Sequence, residues 1–367
     1  MTLPGVTTAG EVGRAVGDGD RPLVVLQSFH AVRPTTNPYL IQLLASLGAG
    51  ATVRTFTWRT ALVGRWDVLH VHWPELIFRR DGRIRSALGM VLTLVLLVRL
   101  RVRRGALVRT LHNEVPHESR GWFERRVLAL LDRCTTLWIC LNGVTEPPRP
   151  GPVVRIPIGG YAGWFAEHVV PSTVRGRVLT FGLIRPYKGV EDLVAAFRAV
   201  PVDHGLSLSV AGRPSTAQLA DAVRAGADGD QRIRLSLDHV SDAALVHEVG
   251  EAELVVLPYR HMQNSSAALL ALSLGRPILV PANPLNADLA EEVGRDWVHL
   301  FDGAVTAEHL VRALGDARER PASSVPDLSA REWSSIGSAH LDAFARAVRL
   351  ASRHEGRRAG RGTGGER

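Results

Sequence analysis

Phe181-Gly-Leu-Ile-Arg-Pro-Tyr-Lys-Gly189 is the stretch whose residue types speak most directly to chemistry. An apolar run ends at Phe181, Gly182 permits close backbone approach, and a helical pattern opens after Gly189. Arg185 and Lys188 lie three residues apart on the turn between them. Two cations beside a helix N-terminus make a receptor for a diphosphate. Lys188 is the only lysine among 44 basic residues. Arginine stands almost everywhere else that a cation serves, so this ammonium marks a place where a compact point charge on phosphate is needed.

A second stretch, Pro258–Pro277, carries Tyr259 out of an apolar run and places Asn264, Ser265 and Ser266 before an apolar helix. Asn and Ser are first of all helix caps. At the C-terminal end of a parallel strand, the same helix start offers N–H groups to a phosphate or to sugar hydroxyls, beside Arg185 and Lys188. Two further segments could do acid–base work. Asp67–Glu75 ends with His72, Trp73 and Glu75, and Thr110–Glu118 carries His112, Asn113, Glu114, His117 and Glu118. A tuned Glu or a His–Glu pair is a general base near neutral pH. His70 reads as a core residue. The histidines fall on separate loops without an Asp-rich pair, so no metal site is expected.

Strands of a buried parallel sheet must position these groups. Short apolar runs at Leu23–Gln27, Val53–Phe56, Val68–His72, Leu107–His112 and Trp138–Asn142 alternate with helical segments such as Pro38–Leu47, which follows a capping Asn37, and Gly121–Arg133. A second series runs Val178–Phe181, Leu206–Val210, Ile233–Leu235, Leu254–Leu257 and Ile278–Val280, with helices at Val190–Val200, Ala217–Ala225 and Ser265–Leu274. Two βα series predict an α/β fold of two doubly wound, Rossmann-like domains facing a central cleft. The expected divisions are a loose leader at 1–20, a first domain at 21–168, a second at 169–328, a bracing helix at 329–350 and a basic tail at 351–367. The leader lacks the apolar core of a secretory signal. Cys134 and Cys140 are too few for a disulfide framework.

Ala87–Val98 is apolar but too short to cross a bilayer, which takes about 20 residues. Residues 79–104 hold eight Arg and one acid. An Arg-collared apolar helix over 84–104 suits docking in the interface of an anionic membrane, with Arg85, Leu92, Leu96, Arg99 and Arg101 as its contacts. The net charge of +8 resides in this collar and in the tail, leaving the remaining chain slightly acidic. That distribution argues against a nucleic-acid-binding surface.

Together these residues resemble the GT-B glycosyltransferases, and more narrowly the GDP-mannose:glycolipid 4-β-D-mannosyltransferases of xanthan- and acetan-type polysaccharide assembly. The likeness is carried by Thr36–Leu40, Asp67–Glu75, Arg109–Asn113, Pro116–Glu118, Arg120–Trp122, Phe181–Glu191, Glu253–Tyr259, Asn264–Pro277 and Glu292–Leu300. It implies that the first domain binds a polyprenyl-diphosphate-linked glycan and the second a nucleotide sugar, at the cytoplasmic face of the inner membrane. Implied donor residues are Gly182, Arg185, Lys188, Tyr259, Asn264, Ser265 and Ser266; Asn37, His72, Trp73, Asn113 and Tyr161 are implied on the acceptor or cleft side. Base candidates are Glu75, His112, His117 and Glu118. Many retaining relatives carry two Glu where Met262 and Leu270 stand here, which favours inversion and a β-linked product. The cations on the phosphate loop imply that no metal cofactor is required. A UDP-sugar donor, a retaining outcome and a nucleotide-sugar epimerase are the alternatives.

Overall fold

The computed structural model describes residues 21–32, 36–112, 121–321 and 323–353. Its first series is β1 (Leu23–Gln27), α1 (Pro38–Leu47), β2 (Ala51–Thr55), α2 (Trp58–Val63), β3 (Val68–Val71), α3 (Glu75–Phe78), α4 (Arg83–Arg103), β4 (Ala106–Leu111), α5 (Trp122–Cys134), β5 (Leu137–Cys140) and β6 (Val153–Arg155). The second is β7 (Arg177–Phe181), α6 (Val190–Arg198), β8 (Ser207–Ala211), α7 (Ala217–Ala227), β9 (Ile233–Ser236), α8 (Asp242–Glu251), β10 (Leu254–Val256), α9 (Ser266–Ser273), β11 (Ile278–Pro281), α10 (Pro284–Val293), β12 (Val298–Phe301) and α11 (Ala307–Glu319). The long α12 (Trp333–Arg353) follows.

Each series builds one six-stranded parallel sheet, in the orders β2-β1-β3-β4-β5-β6 and β12-β11-β10-β7-β8-β9. Strand order reverses between β1 and β3 in the first sheet and between β7 and β10 in the second. Open parallel sheets bind ligands beyond the carboxyl ends of the strands at that reversal. The sequence therefore places His72 just past one switch point, and the Gly182–Gly189 and Leu257–Ser266 segments past the other.

The chain divides into two compact units, one running to Pro157 and resuming at Trp333, the other spanning Ile158–Glu332. The second unit thus begins earlier than the expected 169 and ends later than 328. Residues 158–161 are tied to it by hydrogen bonds that composition does not reveal. Gly160 N–H donates to the Arg331 carbonyl at 2.9 Å, Arg331 Nη1 to the Ile158 carbonyl at 3.0 Å, and Tyr161 N–H to Ser273 Oγ at 2.8 Å.

In the first unit, α12 closes one face of the sheet. Ile336, Ala343, Phe344 and Ala347 pack on Val25, Val68, Ala106, Val108 and Ile139. The other face carries Leu26, Leu69 and Leu107 against Leu96, Leu97 and Leu100 of α4 and Leu131 of α5. Full burial of such side chains contributes about 1.5–3 kcal/mol each, which holds the strand ends in register. The second unit packs α6, α7 and α11 on its sheet through Leu193, Phe197, Val223, Leu310 and Leu314.

Helix α4 corrects the expected membrane contacts. It spans 21 residues and holds Arg85, Arg99 and Arg101 within it, as the helix expected over 84–104 does. Leu96 is fully buried, Leu92 is half-buried, and Arg99 turns back over the Trp66 ring at 4.3 Å. Ile84, Leu88, Val91, Val95, Val98 and Val102 are exposed instead. Their alternating spacing of four and three residues draws one aliphatic stripe along the solvent side of the helix. Among the described residues no helix is long and apolar enough to cross a membrane.

Candidate active site

The Gly182–Gly189 loop is built by glycines at two crowded strand ends. Gly182 N–H donates to the Ala211 carbonyl at 2.9 Å, and a Cβ on Gly212 would fall 2.1 Å from the Gly182 carbonyl oxygen. Only residues without side chains let the β7 and β8 ends approach so closely. The chain then makes a 3-10 turn at Pro186–Lys188 and passes through Gly189 at φ 58° before α6 begins. A Cβ on Gly189 would lie 2.5 Å from the Pro258 carbonyl oxygen, so this glycine lets the turn sit against the end of β10.

Lys188 is thereby folded inward. Its Nζ stands 4.9 Å from the centroid of the Tyr259 ring and 3.4 Å from where a Cβ on Gly182 would be. No carboxylate pairs with it among the described residues. Burial, with the nearby Arg185 charge, pushes the ammonium down to about 8. A desolvated cation without a counter-charge is a ready partner for an anion. Arg185 is exposed on the same turn.

Sequence reasoning missed Arg260, which straps the loop. Its Nη1 donates to the Pro186 carbonyl at 3.0 Å, its Nε to Asp192 and its Nη2 to Glu191 and Asp192, while its backbone N–H donates to the Tyr187 carbonyl at 2.8 Å. These contacts neutralise the two carboxylates that open α6. Partners nearly 70 residues apart leave no local signature.

The start of α9 completes the second unit's constellation. Ser265 caps the helix, accepting from Ala268 N–H at 3.2 Å, and its side chain also bonds the Tyr259 hydroxyl. Burial raises the Tyr259 phenol, so it stays protonated. The Ser266 side chain bonds the Tyr161 hydroxyl. Tyr161, expected on the acceptor or cleft side, lies in the second unit beside the start of α9. Asn264 precedes the cap. Met262 and Leu270 are buried.

In the first unit, His72 and His112 leave adjacent strands. His72 Nδ1 lies 3.0 Å from His112 Nε2, and His72 N–H donates to Ser28 Oγ at 3.2 Å. Trp73 stacks on His112 at 4.4 Å, and Tyr39 meets the same ring edge-on at 5.3 Å. Asn37 is used as the cap of α1, accepting from Tyr39 N–H at 3.0 Å. His70 is wholly buried and bonded to Thr110 Oγ1 at 2.8 Å. Burial pulls His112 down to about 3 and His72 well below the usual imidazole range. Glu75 is buried at the first residue of α3, where its charge raises the Arg109 guanidinium that burial lowers. Arg109 also pairs with Asp132. Asn113, His117 and Glu118 lie outside the described residues. Among the described residues no cluster of His, Cys, Asp and Glu could hold a metal ion.

No protein-family model matches the chain. It is 43% identical over 326 residues to a GDP-mannose:glycolipid 4-beta-D-mannosyltransferase of Xanthomonas campestris pv. campestris, covering 89% of this chain and 93% of that protein. A second protein of the same description and pathovar is 42% identical over the same span. The fold is similar to that of Anabaena HepE in complex with UDP (TM-score 0.56, 13% identity, 93% of this chain and 100% of that one). It is also similar to the catalytic domain of starch synthase IV from Arabidopsis thaliana bound to ADP and acarbose (TM-score 0.58, 11% identity, 89% and 100% coverage). The two parallel sheets are thus those of a GT-B glycosyltransferase. With this identity sustained over almost the whole of its relatives, the chain belongs to the GDP-mannose:glycolipid 4-beta-D-mannosyltransferase family of glycosyltransferases.

Proposed function

We propose that this glycosyltransferase moves mannose from GDP-mannose to a hydroxyl of a polyprenyl-diphosphate-linked glycan, with inversion, as a step in exopolysaccharide assembly. The observation that carries the reading is the desolvated Lys188 ammonium at the β7/β10 switch point, without a carboxylate partner among the described residues, in a chain 43% identical to a transferase of that description. The leaving GDP is met by Lys188 and Arg185 and by the N–H groups opening α9, groups already oriented before charge develops on the bridging oxygen. In this reading the diphosphate needs no resident metal.

The acceptor hydroxyl attacks the anomeric carbon opposite the departing diphosphate. Its proton goes to a carboxylate, either Glu75 at the first unit's switch-point edge or Glu118. A base works best when its pKa lies near the working pH, and His112, drawn down to about 3, is poorly matched to that task. The buried Met262 and Leu270 supply no carboxylate for a retaining double displacement.

The glycan's lipid anchor requires the enzyme to work at a membrane surface, and the Ile84–Val102 stripe of α4 suits shallow insertion among anionic headgroups at the cytoplasmic face. Incubating the protein with GDP-mannose, UDP-sugars and a lipid-linked glycan tests the reading. Mannose transferred with a β-configured product by NMR supports it. Transfer only from a UDP-sugar, or an α-linked product, overturns it.

A further inference from the structure

We infer that Tyr161 is a positioning residue for the donor site: it straps helix α9 at both ends and so sets where the N–H groups of the helix start stand for the leaving diphosphate. The inference rests on the proposed reading of that helix start as a diphosphate receptor, and it adds the residue that holds the receptor in place.

The sequence of α9 explains why a strap is needed. Between Ser266 and Ser273 it carries only Ala and Leu, and Ala268–Leu272 are all buried. Apolar packing is non-directional, and a helix apolar on every side has no polar face to fix its rotation or its position along its axis. Directional bonds at the two ends supply what the packing leaves open.

Tyr161 makes a bond at each end. Its backbone N–H donates to Oγ of Ser273, the last residue of α9, at 2.8 Å, and its hydroxyl bonds the side chain of Ser266, the first. Tyr161 is buried, which raises its phenol and keeps it protonated. The side chain of the preceding Ser265 goes to Tyr259, the ring on which Lys188 leans. Two successive serines thus engage two tyrosines, one following β10 and one from the segment that opens the second unit. Ala268 N–H is spent on Ser265 Oγ and Leu269 N–H on the Ser265 carbonyl at 3.3 Å. The N–H groups of Ser266 and Ala267 are then the ones left without an intrahelical acceptor, and Ser266 is the residue that Tyr161 holds.

Tyr161 can hold the helix only if it is itself fixed. Just before it, Gly160 N–H donates to the Arg331 carbonyl and Arg331 Nη1 to the Ile158 carbonyl. Arg331 in turn grips the Glu292 carboxylate of α10 with Nε at 2.7 Å and Nη2 at 2.6 Å. Its side chain is only 12% exposed, so this two-pronged, charge-assisted pair is shielded from water. Just after it, the N–H groups of Trp164 and Phe165 donate to the Tyr161 carbonyl at 3.0 and 3.3 Å. A path of directional bonds therefore runs from α10 through Arg331 and Tyr161 to the start of α9. Misplacing such a group by about 1 Å costs on the order of a hundredfold in rate.

Two variants of the full chain test the strap. Tyr161→Phe keeps the ring and the backbone bond and removes only the hydroxyl, while Ser273→Ala removes the acceptor at the other end. Each should weaken the binding of GDP, titrated calorimetrically, about three- to tenfold, and raise the donor KM with the acceptor KM unchanged. Ser273→Thr retains the hydroxyl and should recover wild-type affinity. Amide hydrogen exchange of the free protein should quicken across residues 266–273 in Tyr161→Phe and stay unchanged in β8 and α7, whereas a general loss of stability would quicken all three. GDP affinity equal to wild type in both Tyr161→Phe and Ser273→Ala contradicts the positioning role, and unchanged exchange across 266–273 overturns the strap itself. If the wild type does not bind GDP, the proposed donor reading fails, and hydrogen exchange still decides whether Tyr161 holds α9.

Discussion

Lys188 Nζ lies 4.9 Å above the centroid of the Tyr259 ring, so the chain's only ammonium side chain leans on an aromatic face and not on a carboxylate. Tyr259 in turn bonds Ser265, the cap of α9. One contact therefore links the loop after β7 to the helix start after β10, across the point where the strand order reverses.

Removing that ammonium should disable the donor site and spare the fold. Lys188→Ala is expected to weaken GDP-mannose binding about ten- to a hundredfold, the range of a lost charge-assisted hydrogen bond, with an unchanged circular dichroism spectrum. Lys188→Arg should recover only part, because a planar guanidinium does not fit the space of a compact ammonium between Gly182 and Tyr259. Calorimetric titration with donor measures both, and wild-type affinity in Lys188→Ala contradicts the assignment.

Donor affinity should also fall on the alkaline side. Free Lys188 loses its proton near pH 8, about the value to which burial and Arg185 push it. A bound diphosphate favours the charged form and raises that pKa, so binding takes up a proton above pH 8. Kd is expected to be flat below that value and to climb by up to about tenfold per pH unit above it. Lys188→Ala should abolish the slope; a slope that persists in the variant assigns it to another group.

Acid should destabilise the first unit early. His70 and His72 are held well below 6.5, His112 at about 3 and His340 at about 4, all chiefly by burial. A depressed folded-state pKa contributes stability that is complete above the unfolded value of 6.5 and is lost as pH falls towards the folded value. Each group adds a slope of about 1.4 kcal/mol per pH unit once the unfolded chain is protonated. Urea denaturation followed from pH 7 to 5 should show the decline, and a flat profile would exclude a buried neutral cluster.

The two sides of α4 should respond oppositely to substitution. Val95→Asp, on the exposed stripe, is expected to leave the melting temperature nearly unchanged and to abolish sedimentation with anionic vesicles. Leu96→Ala, in the core beside Leu107, should cost about 2–5 kcal/mol of stability. Vesicle binding retained in Val95→Asp removes the stripe from the membrane reading.

The pair also shows where sequence reading reached its limit. In Ala87–Val98 nearly every residue is apolar, so periodicity cannot say which side faces the sheet; the exposed and buried sides emerge only when α3, α5 and β4 are packed against the helix. By contrast, Pro38–Leu47 and Leu23–Gln27 form the helix and strand expected of them, because a capping Asn and a bounded apolar run are local signals. The edge strands β6 and β12 were missed, being three and four residues long with partly exposed side chains. Of the site, the Phe181–Gly189 turn was legible as strand, glycine, cations and helix start. Arg260 and the Tyr161–Ser266 bond were not, since their partners are brought together only by the tertiary fold. His70 and His72 share a face by simple alternation, but that His340 covers them depends on where α12 returns.

The most direct measurement follows labelled mannose from GDP-mannose into a lipid-linked glycan, comparing wild type with Lys188→Ala and determining the anomeric configuration of the product. Transfer by the wild type to a β-linked product, falling at least tenfold in the variant, is the expected result. Undiminished transfer by Lys188→Ala would contradict the central claim that this ammonium receives the departing diphosphate.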